Sequence, residues 1–376
     1  MHEVPILGAG AGIVRGCSVE KSVGIIPAAG EGTRLRPITF SLPKHLVPLL
    51  GKAIIEYPLQ HLESIQVRDI VIVVGYLGHM IREYLEDKGY RAKYVYQEKR
   101  LGIAHAIHTA IEQAGISGSP LVVYLGDNIL LEKLETHYKA FIEGDYDVYV
   151  LLAPVPDPHR FGVAVVESGR IVKLVEKPRE PPSNLAVVGV YMFRDSDLVE
   201  KLFRELKPSW RGEYEITDLI QKFIDRGYRV GYSVVSRWWK DIGTPEGLLD
   251  AMQMLLDAIE EPVIRGRVEG NVTTSKVIVE EGAVVEGDIK GPAYIGRGSL
   301  VSSRARLEAY VSLEQGTILK SGVLVNTLVM GEGTTIDIGE AQLEDSVIGR
   351  ACEILAHRTT NRMKLLVGDR ARITID

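Results

Sequence analysis

The stretch Val23–Lys44, VGIIPAAGEGTRLRPITFSLPK, joins a short apolar run to a loop that carries two glycines. The apolar run, Val23–Pro27, predicts a buried β-strand. Gly30 and Gly32 follow at once. Because glycine has no Cβ, backbone amides at these two positions can approach a polyphosphate closely. The stretch therefore predicts a strand that leads directly into a candidate phosphate-binding loop.

Two cations accompany this loop. Arg34 can bind phosphate oxygens through two parallel N–H groups, and Lys44 adds a second positive charge further along. The loop lacks the Gly-Lys-Ser/Thr of a Walker P-loop, and it does not complete the GxGxxG dinucleotide fingerprint. Taken alone, it leaves open a polar surface turn with incidental cations.

Downstream of the loop, apolar runs alternate with segments of helical spacing. Such alternation indicates a doubly wound α/β domain whose mostly parallel, Rossmann-like sheet is covered on both faces. The predicted strands are Val23–Pro27, Asp69–Val74, Ala92–Tyr96, Pro120–Leu125 and Ile171–Val175, and the predicted helices are Ala53–Ile65, Gly78–Asp87 and Ala104–Gln113.

The last third of the chain changes its period. Apolar residues recur every six positions, and a second set of small or β-branched residues falls four positions after each. Hexapeptide periodicity with glycine-rich corners predicts a left-handed parallel β-helix that stacks the residues of these sets in its interior. The first set is Ile295, Val301, Leu307, Leu313, Leu319 and Val325, and the second is Ser299, Ala305, Val311, Thr317, Val323 and Val329. The β-helix is interpreted as a scaffold or an oligomerisation surface.

Three units follow from these patterns: an N-terminal extension over residues 1–22, an α/β domain over 23–257 and the β-helix over 258–376. The Gly8–Gly12 stretch, GAGAG, also resembles a dinucleotide loop, but the strand and helix that such a loop needs are not predicted around it. Val4–Val14 is apolar like a signal-peptide core, yet it has no basic residues before it. An extension is the preferred interpretation.

Composition excludes several classes of function. The formal net charge is −6 and the pI is near 5.9, which argues against bulk nucleic-acid binding. Cys17 and Cys352 stand far apart, so the chain has neither a disulfide framework nor a cysteine-based zinc site. No apolar run is long enough to span a bilayer. We therefore expect a cytoplasmic protein, with a homo-oligomer formed through the β-helix.

The motif Gly-x-Gly-Thr-Arg-Leu at Gly30–Leu35, followed by Pro43-Lys44, resembles the signature of the sugar nucleotidyltransferases. The resemblance continues over about 23–257 and extends, less specifically, to the hexapeptide tail. Within the family, Gly126–Asn128, Arg211–Asp218 and Trp238–Pro245 look most like the glucose-1-phosphate thymidylyltransferases, and the hexapeptide tail resembles the long form of that group. The resemblance implies transfer of a nucleotidyl group from dTTP or UTP to a sugar 1-phosphate, with release of pyrophosphate.

Two aspartates are candidate ligands of Mg²⁺, a hard ion that prefers carboxylates. Asp127 follows the predicted strand Pro120–Leu125, at the edge where open α/β sheets bind ligands. Asp241 lies in Trp239–Thr244, more than a hundred residues later. By themselves both residues are equally consistent with turns or caps. The family resemblance implies that the two bind the metal as a pair.

The family resemblance also implies the remaining site residues, which divide by substrate. A glutamate can accept sugar hydroxyls, a lysine can hold a phosphate, and a glutamine amide can pair with the imide edge of uracil or thymine. The sugar-binding candidates are Asn128, Gly162, Glu176, Lys177 and Tyr191. The nucleotide-binding candidates are Ala28, Gly30, Gly32, Thr33, Gln97 and Gly102. The candidate catalytic residues are Arg34, Lys44 and Lys177.

Two other functions compete with this one. The β-helix could be an acyltransferase for amino sugars, which requires a histidine base there. After Leu248 the chain offers only His357 for that role. Alternatively, the chain could be a regulatory subunit that binds sugar nucleotides without turning them over. Such a subunit should lack the loop arginine or a metal aspartate, and both are present.

Overall fold

The computed structural model describes residues 22–356 and 362–376. Residues 1–21 of the predicted extension, including Gly8–Gly12, and the candidate base His357 lie outside the described residues. In the part that is described, no helix is long and apolar enough to cross a membrane.

The first unit contains thirteen strands and seven helices among the described residues. The strands are β1 (Val23–Ala28), β2 (Pro48–Leu49), β3 (Lys52–Ala53), β4 (Asp69–Val74), β5 (Lys93–Tyr96), β6 (Leu121–Tyr124), β7 (Asn128–Leu130), β8 (Val148–Pro154), β9 (Gly162–Glu167), β10 (Arg170–Glu176), β11 (Leu185–Phe193), β12 (Val230–Val234) and β13 (Trp239–Asp241). The helices are α1 (Glu56–Ser64), α2 (Gly78–Asp87), α3 (Ile103–Ala114), α4 (Leu134–Glu143), α5 (Ser196–Phe203), α6 (Ile216–Asp225) and α7 (Pro245–Asp257).

The predicted α/β architecture is confirmed. The main sheet has the order β10-β9-β11-β6-β1-β4-β5, with β8 beside β11 and β12 beside β8. The side β6-β1-β4-β5 is parallel, as the alternation of strands and helices predicts. From β11 onward most pairs are antiparallel, and β9 and β10 form a hairpin. The glycine loop leaves the sheet at the carboxyl end of β1.

Element boundaries agree closely with the sequence patterns, with one instructive difference. The predicted helix Ala53–Ile65 begins only at Glu56. Lys52–Ala53 instead pairs with Pro48–Leu49 as a small antiparallel hairpin. The turn between them places Gly51 at a φ of 78°, a left-handed conformation that glycine adopts without strain.

The second unit is a stack of short strands. They are β14 (Val263–Ile264), β15 (Arg267–Val268), β16 (Val277–Val279), β17 (Val284–Val285), β18 (Asp288–Ile289), β19 (Ala293–Ile295), β20 (Leu300–Leu307), β21 (Val311–Leu313), β22 (Ile318–Val329), β23 (Thr335–Ile348), β24 (Glu353–Ala356), β25 (Leu366–Val367) and β26 (Arg372–Ile375). Every pairing among them is parallel, as the predicted β-helix requires.

The hexapeptide phase holds through Leu319 and then slips. Five residues of the first predicted set are fully buried in the β-helix interior: Ile295, Val301, Leu307, Leu313 and Leu319. The assignment of Val323 and Val325 to the interior is wrong, since both are only partly buried and Leu324 is fully buried instead. Val301 pairs with Leu319 whereas Arg304 pairs with Ser321 and Leu307 with Leu324, so the repeat loses one residue between Leu319 and Ser321.

The two units share a continuous core. On one face of the main sheet, the buried cluster that includes Leu59 and Leu248 also contains Tyr294, Leu328 and Val347 of the β-helix. A second cluster covers the opposite face of the sheet, and a third fills the β-helix. Burial of this apolar surface makes the contact between the units part of the folded core.

One buried carboxylate lies at that contact. Glu314, at the end of β21, is 2% exposed. It accepts hydrogen bonds from the backbone N–H of Gly51 at 2.9 Å and from the Ser312 hydroxyl at 2.7 Å. Burial raises the pKa of Glu314 to about 7, against an ordinary value of 4.5.

Because its folded pKa lies above its unfolded value, Glu314 should make stability depend on pH. Glu314 leaves the free energy of unfolding unchanged below about pH 4.5 and lowers it as the pH rises through 7. At roughly 1.4 kcal/mol per pKa unit, the decrease amounts to about 3 kcal/mol at most. Glu314→Gln should remove this fall. Melting temperatures at pH 5 and pH 8 measure it, and the exposed control Glu286→Gln should keep the wild-type profile. Parallel profiles for Glu314→Gln and the wild type would contradict the assignment.

Candidate active site

A two-stranded ladder brings the two candidate metal ligands together. β7 pairs with β13 in antiparallel fashion, and Asn128 stands opposite Asp241. The Ile242 N–H donates to the backbone carbonyl of Asp127 at 3.0 Å. Asp127 and Asp241, more than a hundred residues apart in sequence, therefore lie side by side at the edge of the main sheet.

The two carboxylates differ in pKa. Burial would raise the pKa of Asp127, but the Lys44 ammonium, which forms an ion pair with it, lowers this pKa together with His45 and the Asn128 amide. Burial and the charge of Asp127 together raise the pKa of Asp241 to about 6. Within the described part of the chain, no group donates a hydrogen bond to the Asp241 carboxylate. Its oxygens remain available to a ligand.

Three cations surround Asp241. Lys44, Arg34 and Lys177 each lower its pKa by their charge, in that order, although burial dominates. Arg34 lies directly against Gly243, where an added Cβ would come within 2.7 Å of its Nη2 atom. The five charged residues predicted from four separate segments thus share one cleft.

The glycine loop presents unpaired donors to this cleft. The backbone amides of Gly30 to Thr33 donate no hydrogen bond within the described residues. Gly32 has a φ of 64°, and its carbonyl accepts from the Thr39 hydroxyl at 2.8 Å, so the loop folds back onto Lys44. Successive free amides in such a turn form an anion-binding concavity. Ala28, buried at the end of β1, sets the start of the loop.

Glu176 lies at the end of β10 among several polar partners. Its Oε2 atom accepts from the Thr217 hydroxyl at 3.1 Å, and the Arg211 guanidinium is 3.7 Å from Oε1. An added Cβ at Gly162 would come within 3.1 Å of the same carboxylate. The close approach explains the need for glycine there. Tyr191, buried on β11, lies near Glu176 and both aspartates, whose charges together with burial raise its pKa.

Lys177 follows Glu176 in a left-handed conformation, with a φ of 40°. Such a backbone costs about 1 kcal/mol in a residue other than glycine. The Lys177 N–H donates to the carbonyl of Phe161 at 3.0 Å, which fixes this turn. Neighbouring side chains of Glu176 and Lys177 consequently both reach the cleft, with Nζ 3.5 Å from Oε1.

Asn128 and Gln97 have less freedom than the sequence suggested. Asn128 is 1% exposed; its amide donates to Asp127 at 2.9 Å and accepts from the Trp239 indole at 2.7 Å. These two hydrogen bonds connect Asp127 to Trp239 through Asn128, and its role in sugar binding stays a prediction. The Gln97 amide nitrogen is engaged by Gly102 and by His105. Only its carbonyl oxygen remains to accept from a base, so one half of the expected pairing is missing.

Several contributing residues were not predicted as site residues. Arg211 and Thr217 hold Glu176, and Trp239 locks Asn128. Arg100 pairs with Glu31 at 2.5 Å and thereby ties the glycine loop to the segment of Gln97. The motifs around Arg211 and Trp239 carried the family resemblance, which was the available signal. The sequence gives no signal for Arg100, since its partner Glu31 lies far away in the chain.

A cavity of about 520 Å³ opens beside Asp241. Aromatic and cationic side chains line it next to the metal candidate, among them Phe161, Trp239 and Lys240. The cleft therefore offers free amides and cations for a polyphosphate, and polar groups with an adjoining cavity for a second, uncharged moiety.

Known proteins are similar to this chain in sequence. The nucleotidyl transferase family model matches residues 23–258. A glucose-1-phosphate thymidylyltransferase from Streptomyces griseus is 34% identical over 358 residues, covering 93% of this chain and 99% of that relative. The bifunctional protein GlmU of Methanocaldococcus jannaschii is 33% identical over 90% of this chain and 80% of its own length.

A solved structure is also similar. A Bacillus anthracis protein assigned as a glucose-1-phosphate thymidylyltransferase, in complex with a sucrose, superposes with a TM-score of 0.56 at 37% identity. The match covers 61% of this chain and 93% of that one.

Replacing Gly243 by alanine should displace Arg34 from the cleft, because the new Cβ conflicts with its guanidinium. The conflict involves only the end of a flexible side chain, so the melting temperature should stay close to that of the wild type. Pyrophosphate release should fall about 100-fold. Gly247→Ala is the matched control, since its Cβ meets nothing closer than 3.4 Å. Unchanged turnover in Gly243→Ala would remove Arg34 from the mechanism.

Proposed function

Because the chain belongs to the nucleotidyl transferase family, we propose that it transfers the thymidylyl group of dTTP to glucose 1-phosphate or a related sugar 1-phosphate, with UTP as a competing donor. Sugar-1-phosphate nucleotidyl transfer is the activity of this enzyme; the base and the sugar are the proposal. The observation that supports nucleotidyl transfer by this chain is the cleft in which Arg34, Lys44 and Lys177 surround the paired aspartates Asp127 and Asp241.

Mg²⁺ suits this donor set. Asp127 and Asp241 offer hard carboxylate oxygens in close proximity, and their mutual repulsion would be relieved by a divalent cation. No cluster of three or more metal-binding side chains occurs among the described residues. A pair of carboxylates is typical of Mg²⁺, which keeps waters and takes substrate phosphates as further ligands. When bound, Mg²⁺ neutralises charge that develops on the attacked phosphate.

The residues of the chain then position two anionic substrates for a direct displacement. The free amides of Gly30 to Thr33 and the Arg34 guanidinium hold the β- and γ-phosphates of the nucleotide. Lys177 orients the phosphate of the sugar 1-phosphate, whose oxygen attacks the α-phosphorus. One P–O bond forms, the bond to the β-phosphate breaks, and pyrophosphate leaves. The attacking oxygen is already ionised, so no general base is needed.

Glu176 is the proposed acceptor for sugar hydroxyls. Thr217 and Arg211 hold its carboxylate in a fixed orientation, and Gly162 leaves room beside it. Gln97 is the proposed reader of the base, through its carbonyl oxygen and the imide N–H that uracil and thymine share. Since this contact does not distinguish thymine from uracil, UTP remains a candidate donor.

A bifunctional enzyme is the second candidate, because a relative named as bifunctional matches this chain over most of its length, including the β-helix. The required histidine base would be His357, which lies outside the described residues. Acetylation of glucosamine 1-phosphate by acetyl-CoA would support this candidate over a purely structural β-helix. A non-catalytic regulatory subunit is disfavoured, since all five charged residues of the cleft are retained.

We expect pyrophosphate release to be fastest with dTTP and glucose 1-phosphate and next fastest with UTP. The imide edge that both bases present to Gln97 favours these two donors over CTP, and the similarity to a glucose-1-phosphate thymidylyltransferase favours dTTP of the two. The measurement is a grid of dTTP, UTP, GTP and CTP against the 1-phosphates of glucose, mannose and N-acetylglucosamine, with Mg²⁺ and with excess chelator. A preference for GTP or CTP would refute the base assignment, and full activity with chelator would refute the metal.

Asp127→Asn should lower kcat/KM by at least about 100-fold at saturating Mg²⁺, because the neutral amide keeps the shape of the side chain but loses its charge. The exposed Asp225→Asn is the control and should stay within about twofold of the wild type. Wild-type turnover by Asp127→Asn would mean that another group binds the metal.

A further inference from the structure

Residues 37–51, here called the Lys44 segment, carry Lys44 into the cleft. The segment contains only two 3₁₀ turns, Ile38–Phe40 and Lys44–Leu46, before the β2–β3 hairpin. Turns this short have few hydrogen bonds of their own and are held mainly by what packs against them. The contacts that the β-helix makes with this segment therefore bear on the position of Lys44.

The last described coil of the β-helix holds the first part of the segment. Asp369, between β25 and β26, accepts from the Ser41 hydroxyl at 2.8 Å. It is itself fixed by Arg350, whose guanidinium donates to it at 2.6 and 2.9 Å, and its side chain is 6% exposed. Beside it, a Cβ at Gly368 would lie 3.1 Å from the carbonyl oxygen of Pro37. The two backbones approach closely at this point.

A middle coil holds the other end of the segment. Glu314 accepts from the Gly51 N–H at 2.9 Å, and its second oxygen is held by Ser312. Tyr294 lies against the same turn, so that a Cβ at Gly51 would overlap its hydroxyl group. The β-helix thus contacts the Lys44 segment on both sides of Lys44.

Inside the segment, contacts lead directly to the cleft. The Thr39 hydroxyl, two residues before Ser41, donates to the carbonyl of Gly32 in the glycine loop. Lys44 pairs with Asp127 and packs against Gly32. A displacement of the segment would therefore move both the lysine and the free amides that face the triphosphate.

We infer that the β-helix positions the nucleotide-binding loop, with Asp369 and Glu314 as positioning residues at the two ends of the Lys44 segment. The inference rests on the proposed function and extends it. The tail, interpreted from sequence as a scaffold, takes part in the reaction indirectly by holding Lys44 and the glycine loop in register with Asp127.

The chain provides a matched comparison for this inference. Gln253 of α7 donates to Asn326 of β22 at 2.8 Å, which is the same length as the bond from Ser41 to Asp369. Both hydrogen bonds join the two units through side chains, but only the bond from Ser41 reaches the Lys44 segment. A merely structural contribution of the β-helix predicts similar effects on catalysis from breaking either bond.

The first experiment compares Ser41→Ala with Gln253→Ala. We expect Ser41→Ala to raise KM for dTTP about 3- to 10-fold, as the loss of one hydrogen bond implies. Gln253→Ala should stay within about twofold of the wild type. Amide hydrogen exchange of residues 37–51 in the protein without substrate should increase in Ser41→Ala only. In an Asp369→Ala background, Ser41→Ala should have no additional effect on KM.

The second experiment uses the other end of the segment. Glu314→Ala removes the carboxylate that accepts from the Gly51 N–H, whereas Glu314→Gln keeps an oxygen in place. We expect Glu314→Ala to raise KM for dTTP and to expose residues 37–51 to exchange, and Glu314→Gln to restore both. Should Glu314→Ala fail to fold, the comparison of Ser41→Ala with Gln253→Ala still decides.

The outcomes separate the inference from the proposed function. Equal KM values and equal exchange for Ser41→Ala and Gln253→Ala would overturn the positioning role. A wild-type enzyme that releases no pyrophosphate with any donor would overturn the proposed function instead. In that case the exchange data, which need no substrate, still test whether the β-helix orders the Lys44 segment.

Discussion

Two carboxylates that repel each other are held side by side, and the rest of the site is arranged around them. Asp127 and Asp241 are brought together by the short β7–β13 ladder and by the hydrogen bond from the Ile242 N–H to the Asp127 carbonyl. Burial and the charge of Asp127 raise the pKa of Asp241, and three cations reduce that shift without abolishing it. The fold therefore keeps two carboxylates close together among these cations, and a divalent cation would relieve the repulsion between them.

This constraint explains why so many contacts near the cleft serve positioning. Asn128 is buried and bridges Asp127 to Trp239, and Thr217 and Arg211 orient Glu176. Catalysis by charge stabilisation requires groups that are placed before the substrate arrives, since reorganisation during the reaction would weaken them. By the same requirement, the contacts between the β-helix and the Lys44 segment would serve to position Lys44 as well as to stabilise the fold.

Much of the fold could be predicted because its signals are local. The strand Asp69–Val74 and the helix Gly78–Asp87 were predicted to the residue, since continuous apolar runs and helical spacing are properties of neighbouring positions. The predicted start of α1 was wrong because Lys52–Ala53 pairs with Pro48–Leu49 in a β-hairpin. Val323 and Val325 were misplaced because the repeat loses one residue between Leu319 and Ser321, which only the pairing between coils reveals.

The sequence by itself determined which chemical groups the site contains: a glycine loop that leaves its amides free, three cations and two aspartates in recognisable motifs. Only the tertiary structure decided which of them face a ligand. Asn128 and the Gln97 amide nitrogen already form internal hydrogen bonds, and Arg100 forms an ion pair with Glu31 of the glycine loop. These outcomes depend on contacts between distant segments, whose geometry is set by packing and by strand register. Residue types constrain the chemistry that is possible, whereas long-range geometry determines which part of it is available.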